Sequence, residues 1–252
     1  MCGDKGHDNP MRREAVGRSS LTGGMVANEP SLPAGMELAR EPAGLTLRAG
    51  GMGLRGDFLR LLPRLRQDRL SRELLVRAAR VRGADARPTA VDATAGLGED
   101  ALLLAASGFA VTLCERNPVV ARLLADALER ASALADLAEV AACMRLVAGD
   151  GAAYLQGLGD DSGALAPDVV YLDPMFPQKR KDAATKKKLQ LLQMLEDPAH
   201  DEEGLLAAAL AARPRKVVIK RPLKGPWLGG VKPSYALAGK GVRYDVLVVP
   251  RP

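Results

Sequence analysis

Short apolar runs alternate with stretches of helical period through the middle and end of this chain. Residues 90–94, 110–114, 145–148 and 169–172 read as strands, with two more at 216–220 and 244–249. Between them, 99–107, 118–134, 151–158, 183–195 and 203–211 carry apolar positions three and four residues apart, the period of an amphipathic helix. Pro118 suits the first turn of its helix, where no N–H is needed, and Asn117 suits the cap before it. Strands this short and apolar, each followed by a helix, predict an α/β fold: a doubly wound, mostly parallel sheet of the Rossmann-like type. Upstream the pattern changes. Alternation between glycines over 36–53 predicts a small β element. Over 57–80 apolar residues such as Phe58, Leu61, Leu70 and Leu75 predict one amphipathic helix, interrupted near Pro63, with arginines on its other face. Residues 1–35 show no period. The expected organisation is a loosely ordered lead-in over 1–35, a small N-terminal subdomain over 36–84 and the sheet domain over 85–252.

In an open α/β sheet, ligands bind outside the carboxyl ends of the strands. Here those ends collect acids: Asp92, Glu115, Asp150 and Asp173 stand at or just after four of them. The first end runs Val91-Asp92-Ala93-Thr94-Ala95-Gly96-Leu97-Gly98, where Gly96 and Gly98 let the backbone turn tightly and approach a ligand without a Cβ. Glu115 is placed to accept from two ribose hydroxyls, and Asp150 from an adenine amine. The same turn also satisfies a relaxed dinucleotide fingerprint. Against that reading, Glu99 and Asp100 put negative charge where a pyrophosphate would approach. The cationic sulfonium and amino groups of S-adenosylmethionine tolerate such carboxylates, so the turn favours that cofactor. At the fourth end, Asp173-Pro174-Met175-Phe176 offers a carboxylate, a rigid turn and an aromatic ring. An aromatic amine is a poor nucleophile until acceptors hold its hydrogens, and Asp173 with the Pro174 carbonyl supplies two. Phe176 is placed to stack on a base.

Composition narrows the partner. The chain has 252 residues, 47% hydrophobic and 26% charged, which suits a globular protein. No run approaches the roughly 20 apolar residues of a membrane span. Three cysteines and two histidines form neither a disulfide framework nor a metal pattern, so a cytoplasmic protein without metal or membrane partner is expected. Net charge is +6, and Lys179-Arg180-Lys181 follows the acidic motif directly. With Lys220 near a later strand end, these cations read as a rim gripping nucleic-acid phosphates.

Together these motifs resemble the RsmJ (YhiQ) family of ribosomal RNA small-subunit methyltransferases. The likeness rests on the glycine turn, Glu115-Arg116-Asn117-Pro118-Val119-Val120, Val169-Val170-Tyr171-Leu172-Asp173-Pro174-Met175-Phe176-Pro177 and Lys220-Arg221-Pro222, and spans roughly residue 36 to the C-terminus. It implies methylation of a guanine N2 amine in 16S ribosomal RNA or the small subunit, with S-adenosylmethionine as donor. It also implies cofactor contacts at Glu99 and Asp100, Glu115 and Arg116, Asp150 and Gly151, and Asp173. Two other readings remain at this point: an N-methyltransferase for another nucleic acid or an amide, and a non-catalytic RNA-binding or ribosome-assembly protein with the same fold.

Overall fold

The computed structural model describes residues 31–83, 87–160, 165–174, 195 and 201–250. The chain divides into two units, Met1–Ser31 and Leu32–Pro252, and every strand and helix among the described residues belongs to the second. That unit opens with an antiparallel meander of β1 (Met36–Glu41), β2 (Gly44–Ala49) and β3 (Met52–Leu54). A 3-10 turn (Leu59–Leu61) and three short helices come next: α1 (Leu62–Leu65), α2 (Gln67–Leu70) and α3 (Leu74–Ala79). The expected single helix over 57–80 is therefore broken. Its apolar positions are buried as the period requires, but Arg66 and Glu73 take extended ψ values of 134° and 128°: Arg66 ends α1 and starts α2, and Glu73 starts α3 after α2 has ended at Ser71.

The remainder alternates β4 (Thr89–Asp92), α4 (Glu99–Ala106), β5 (Ala110–Glu115), α5 (Pro118–Ser132), α6 (Ala138–Ala141), β6 (Met144–Ala148), α7 (Gly151–Asp160), β7 (Val169–Leu172), α8 (Glu202–Ala211) and β8 (Lys216–Pro222). It closes with β9 (Tyr235–Ala238) and β10 (Val242–Val248). The seven strands lie in the order β6-β5-β4-β7-β8-β10-β9, and β10 runs antiparallel to both β8 and β9. The α/β expectation holds. The helix expected over 183–195 lies outside the described residues except at Leu195, and β9, mostly exposed, has no apolar alternation that would have announced it.

Two-residue periodicity sorts the strands into two faces. Ala90, Leu113, Val169, Tyr171, Val218 and Tyr244 pack under α3, α4 and α5, whereas Val91, Cys114, Val170, Leu172, Val217 and Ile219 pack against α7 and α8. Being apolar on both faces is why these strands read as continuous hydrophobic runs. The β1–β3 sheet does not carry a separate core: Met36, Leu45, Leu47 and Leu54 pack on Leu97, Val119, Val120 and Leu123. One polar tie fixes its position. Asp126 of α5 accepts from the Leu45 amide at 3.0 Å and from Arg130 at 2.7 Å.

Candidate active site

Strand order reverses direction at β4 and β7, the topological switch where an open sheet leaves a crevice. The first loop over that crevice is shaped from beneath. Asp92, expected among the cofactor contacts, is 1% exposed, and its Oδ1 accepts the Thr94 amide at 3.1 Å. Burial pushes its carboxyl well above the usual range. Gly96 and Gly98 both take left-handed φ, 54° and 75°. A Cβ on Gly98 would meet Leu124 at 2.7 Å, so glycine there also lets the turn pack down on α5. On the outer side the loop is open, since a Cβ on Gly96 would meet nothing within 4 Å.

Glu115 at the end of β5 anchors this loop. Its Oε2 accepts the Gly96 amide at 2.8 Å and its Oε1 the Asn117 amide at 2.7 Å, which sets the carboxylate's orientation. Asn117 caps α5 as expected, accepting from Val119 and Val120 at 2.9 and 3.2 Å. Arg116 is exposed beside it. Asp150, two residues past β6, caps α7 by accepting the Ala153 amide at 2.8 Å. Gly151 is required by proximity: a Cβ there would lie 2.1 Å from the Ala93 carbonyl oxygen. The first and third loops thus touch through backbone, while above them Gly96 and Gly149 border open space. An open hollow with two oriented carboxylates at successive strand ends fits the ribose, adenine and cationic sulfonium of S-adenosylmethionine.

Asp173 leaves β7 next to this hollow and is held at both ends. Its amide donates to Thr94 Oγ1 at 2.7 Å, and its Oδ2 accepts from Lys220 Nζ at 2.8 Å. Lys220 also donates to Asp100 Oδ2 at 2.6 Å, and the Tyr171 hydroxyl donates to the same oxygen at 2.6 Å. Strand parity explains the meeting, because Tyr171, Asp173 and Lys220 all project to the side that α4 covers. Burial alone would raise the Asp100 carboxyl, yet the Lys220 ammonium and the two hydrogen bonds outweigh it and hold that carboxyl below its usual range. Burial would lower Lys220, but Asp100 and Asp173 dominate and raise it. Tyr171 is pushed up by burial and by the acids around it, so it stays a neutral donor.

Lys220 is therefore placed differently from the expected phosphate rim. Its ammonium lies between two carboxylates, with the side chain 19% exposed. Glu99 is ion-paired with Arg60, and Asp100 faces Lys220 rather than the glycine loop. Pro174 is buried beside Asp173, while Phe176, Lys179, Arg180 and Lys181 lie outside the described residues. Sequence reasoning missed Thr94 and the Tyr171 hydroxyl. Tyr171 looked like core, which it also is at 1% exposed; its place two residues before Asp173, on the same face, was the available signal. Among the described residues no three metal-ligating side chains converge, and no helix is long and apolar enough to cross a membrane.

Known proteins share this chain's sequence pattern and fold. Residues 36–249 match the family described as "Putative SAM-dependent methyltransferase". Ribosomal RNA small subunit methyltransferase J of Thioalkalivibrio sulfidiphilus is 42% identical over 236 residues, covering 88% of this chain and 91% of that protein. The protein of the same name from Pseudomonas paraeruginosa is 48% identical over 160 residues, 64% of this chain and 60% of its own length. The crystal structure of a SAM-dependent methyltransferase from Neisseria gonorrhoeae superposes with a TM-score of 0.68 at 34% identity, covering 89% of this chain and 86% of that one. Likeness of this extent, over a sheet whose switch point carries the glycine turn and Asp173, settles membership: the chain belongs to the ribosomal RNA small subunit methyltransferase J family and is an S-adenosylmethionine-dependent methyltransferase.

Proposed function

We propose that this enzyme methylates the exocyclic N2 amine of a guanine in 16S ribosomal RNA, in the cytoplasm. The observation that carries the reading is Asp173, fixed through its amide and its carboxylate at the edge of the hollow. Relatives named for small-subunit ribosomal RNA methylation support the substrate. When bound, S-adenosylmethionine supplies an electrophilic methyl group on a sulfonium.

The chain's own residues do the rest. Glu115 and Asp150 hold the adenosyl part and Gly96 gives it room; Gly98 and Gly151 let the loops pack closely beneath it, and Glu99, Asp100 and Arg116 flank it. A carboxylate has about four acceptor sites, so Asp173 can take an amine hydrogen while Lys220 occupies Oδ2. The Pro174 carbonyl takes the second hydrogen, and Phe176 stacks on the guanine. Held this way, the nitrogen lone pair is less delocalised into the ring and points along one line, and alignment supplies most of the acceleration. As the nitrogen gains its fourth bond, its acidified proton passes to Asp173. A paired guanine hides this amine, so the target base is unstacked or the RNA only partly assembled. Lys179, Arg180 and Lys181 grip its phosphates.

The test is Asp173→Ala with purified 30S subunits and 16S transcript, reading labelled methyl incorporation and digested nucleosides. The wild type should give N2-methylguanosine. The variant should lose at least a hundredfold in rate with its fold intact by circular dichroism. Label in duplex DNA or a protein amide instead, or an active variant, overturns the reading.

A further inference from the structure

Between Arg55 and Arg82 the chain has nine arginines and three acids, a net +6 that equals the charge of the whole protein and leaves the rest balanced. We infer that the exposed arginines of this segment form the surface on which the RNA phosphate backbone docks. The inference rests on RNA being the substrate and adds where that RNA lies.

Folding turns the segment's apolar residues inward and its charges outward. Phe58, Leu61, Leu70, Leu75, Ala78 and Ala79 are buried. Arg60, Arg66, Arg69, Arg72, Arg77, Arg80 and Arg82 are all exposed. Two have acidic neighbours: Arg60 pairs with Glu99, and Arg66 approaches Asp68 at 3.6 Å. For Arg69, Arg72, Arg77, Arg80 and Arg82 no carboxylate lies within 4.0 Å among the described residues. Arg64 is different in kind. It is taken by Glu73 in a bidentate pair at 2.8 and 2.9 Å and serves the fold.

The surface starts at the active site and runs away from it. At one end Arg60 bonds Glu99, the first residue of α4, beside the glycine turn. At the other, Lys216 at the opposite end of β8 donates to the Ala78 and Arg80 carbonyls at 3.3 and 2.6 Å. Lys220 marks the active-site end of that strand, so the four-residue rise from Lys216 measures the strip at about 13 Å or more. Guanidinium groups at this density suit a run of phosphates, which Arg grips bidentately, rather than a single anion. A cavity of about 820 Å³ along the β1–β3 sheet reaches Arg60 and also has Arg48 and Arg55, but Glu37, Glu41 and Asp57 balance its three arginines. Its charge does not single out a polyanion.

The test compares Arg69→Gln/Arg72→Gln/Arg77→Gln with the wild type, and with Arg48→Gln as a control from the balanced cavity. The probe is a labelled 16S transcript titrated at several KCl concentrations. Each lost phosphate contact should lower the slope of log K against log salt by about 0.7–0.9, so the triple variant should lose about two units of slope. In methylation, KM for RNA should rise at least tenfold with kcat within twofold and S-adenosylmethionine affinity unchanged. Arg48→Gln should behave as wild type. Unchanged RNA affinity and slope in the triple variant overturn the inference even if methylation of 16S RNA is confirmed. Conversely, a wild type that leaves 16S RNA unmodified, while the slope still falls in the variant, defeats the substrate reading alone.

Discussion

Replacing Lys220 with methionine keeps most of the stem's volume and deletes the charge that faces Asp100 and Asp173. Lys220 and Asp100 are each 19% exposed at the side chain and 2.6 Å apart, while Asp173 is 37% exposed. Removing one partner of a buried pair costs about 3–5 kcal/mol, because the other is left charged and uncompensated. Residual exposure puts this pair at the low end, about 3 kcal/mol, and the more solvated Asp173 adds little. At about 2–4 °C per kcal/mol for a chain of this size, Tm should fall by about 6–12 °C. The pH dependence gives a sharper readout. In the wild type the Asp100 carboxyl is depressed, so its stabilisation is present above the ordinary carboxylate range and is lost as pH falls through the depressed value. In Lys220→Met the largest opposition to burial is gone, with only the Tyr171 hydrogen bond and the Arg64 charge still countering it, and the carboxyl rises. The variant's deficit should then shrink between pH 7 and pH 5 as Asp100 takes up a proton. Denaturant melts of both proteins across that range, with Lys220→Met/Asp100→Asn as the rescue, measure it. A variant within about 0.5 kcal/mol of wild type at pH 7, the scatter of a neutral surface change, would refute the reasoning.

The loops yield two more expectations. Gly151→Ala forces a methyl against the Ala93 carbonyl, 2.1 Å away in backbone that cannot swing aside, and should cost about 3 kcal/mol or more, with S-adenosylmethionine affinity lost in calorimetry. Asp92→Asn should be no less stable than wild type at pH 8, by chemical denaturation. Its raised carboxyl makes the native state favoured below the ordinary carboxylate range and progressively penalised as pH rises from there, a penalty the amide escapes. A loss of more than about 1 kcal/mol in that variant at pH 8 would show that Asp92 is needed as an anion.

The sheet was legible because the strands between the two helical layers are largely apolar on both faces, and β4 to β7 end at an acid or within two residues of one. Asp92, Glu115, Asp150 and Asp173 fell where those runs stop, so their positions followed from the strands alone. The α1–α3 region was legible in burial but not in continuity. Three short helices keep the same three- and four-residue spacing as one long one, and nothing local at Arg66 or Glu73 signals the extended ψ. Lys220 could not be placed from the sequence. A lysine near a strand end looks like surface, and its two partners lie 120 and 47 residues away. Thr94 escaped for the same reason: its hydroxyl serves an amide 79 residues on.

That last bond has a consequence for the order of events. A threonine oxygen in the cofactor loop and a peptide N–H in the acceptor loop share one hydrogen, so neither segment can shift without disturbing the other. On the proposed assignment of these loops, donor and acceptor then do not occupy independent compartments. Reciprocity requires that any tightening one brings to the other is returned in equal measure. A spent donor that relaxes the threonine would, by the same link, loosen the grip on the methylated base.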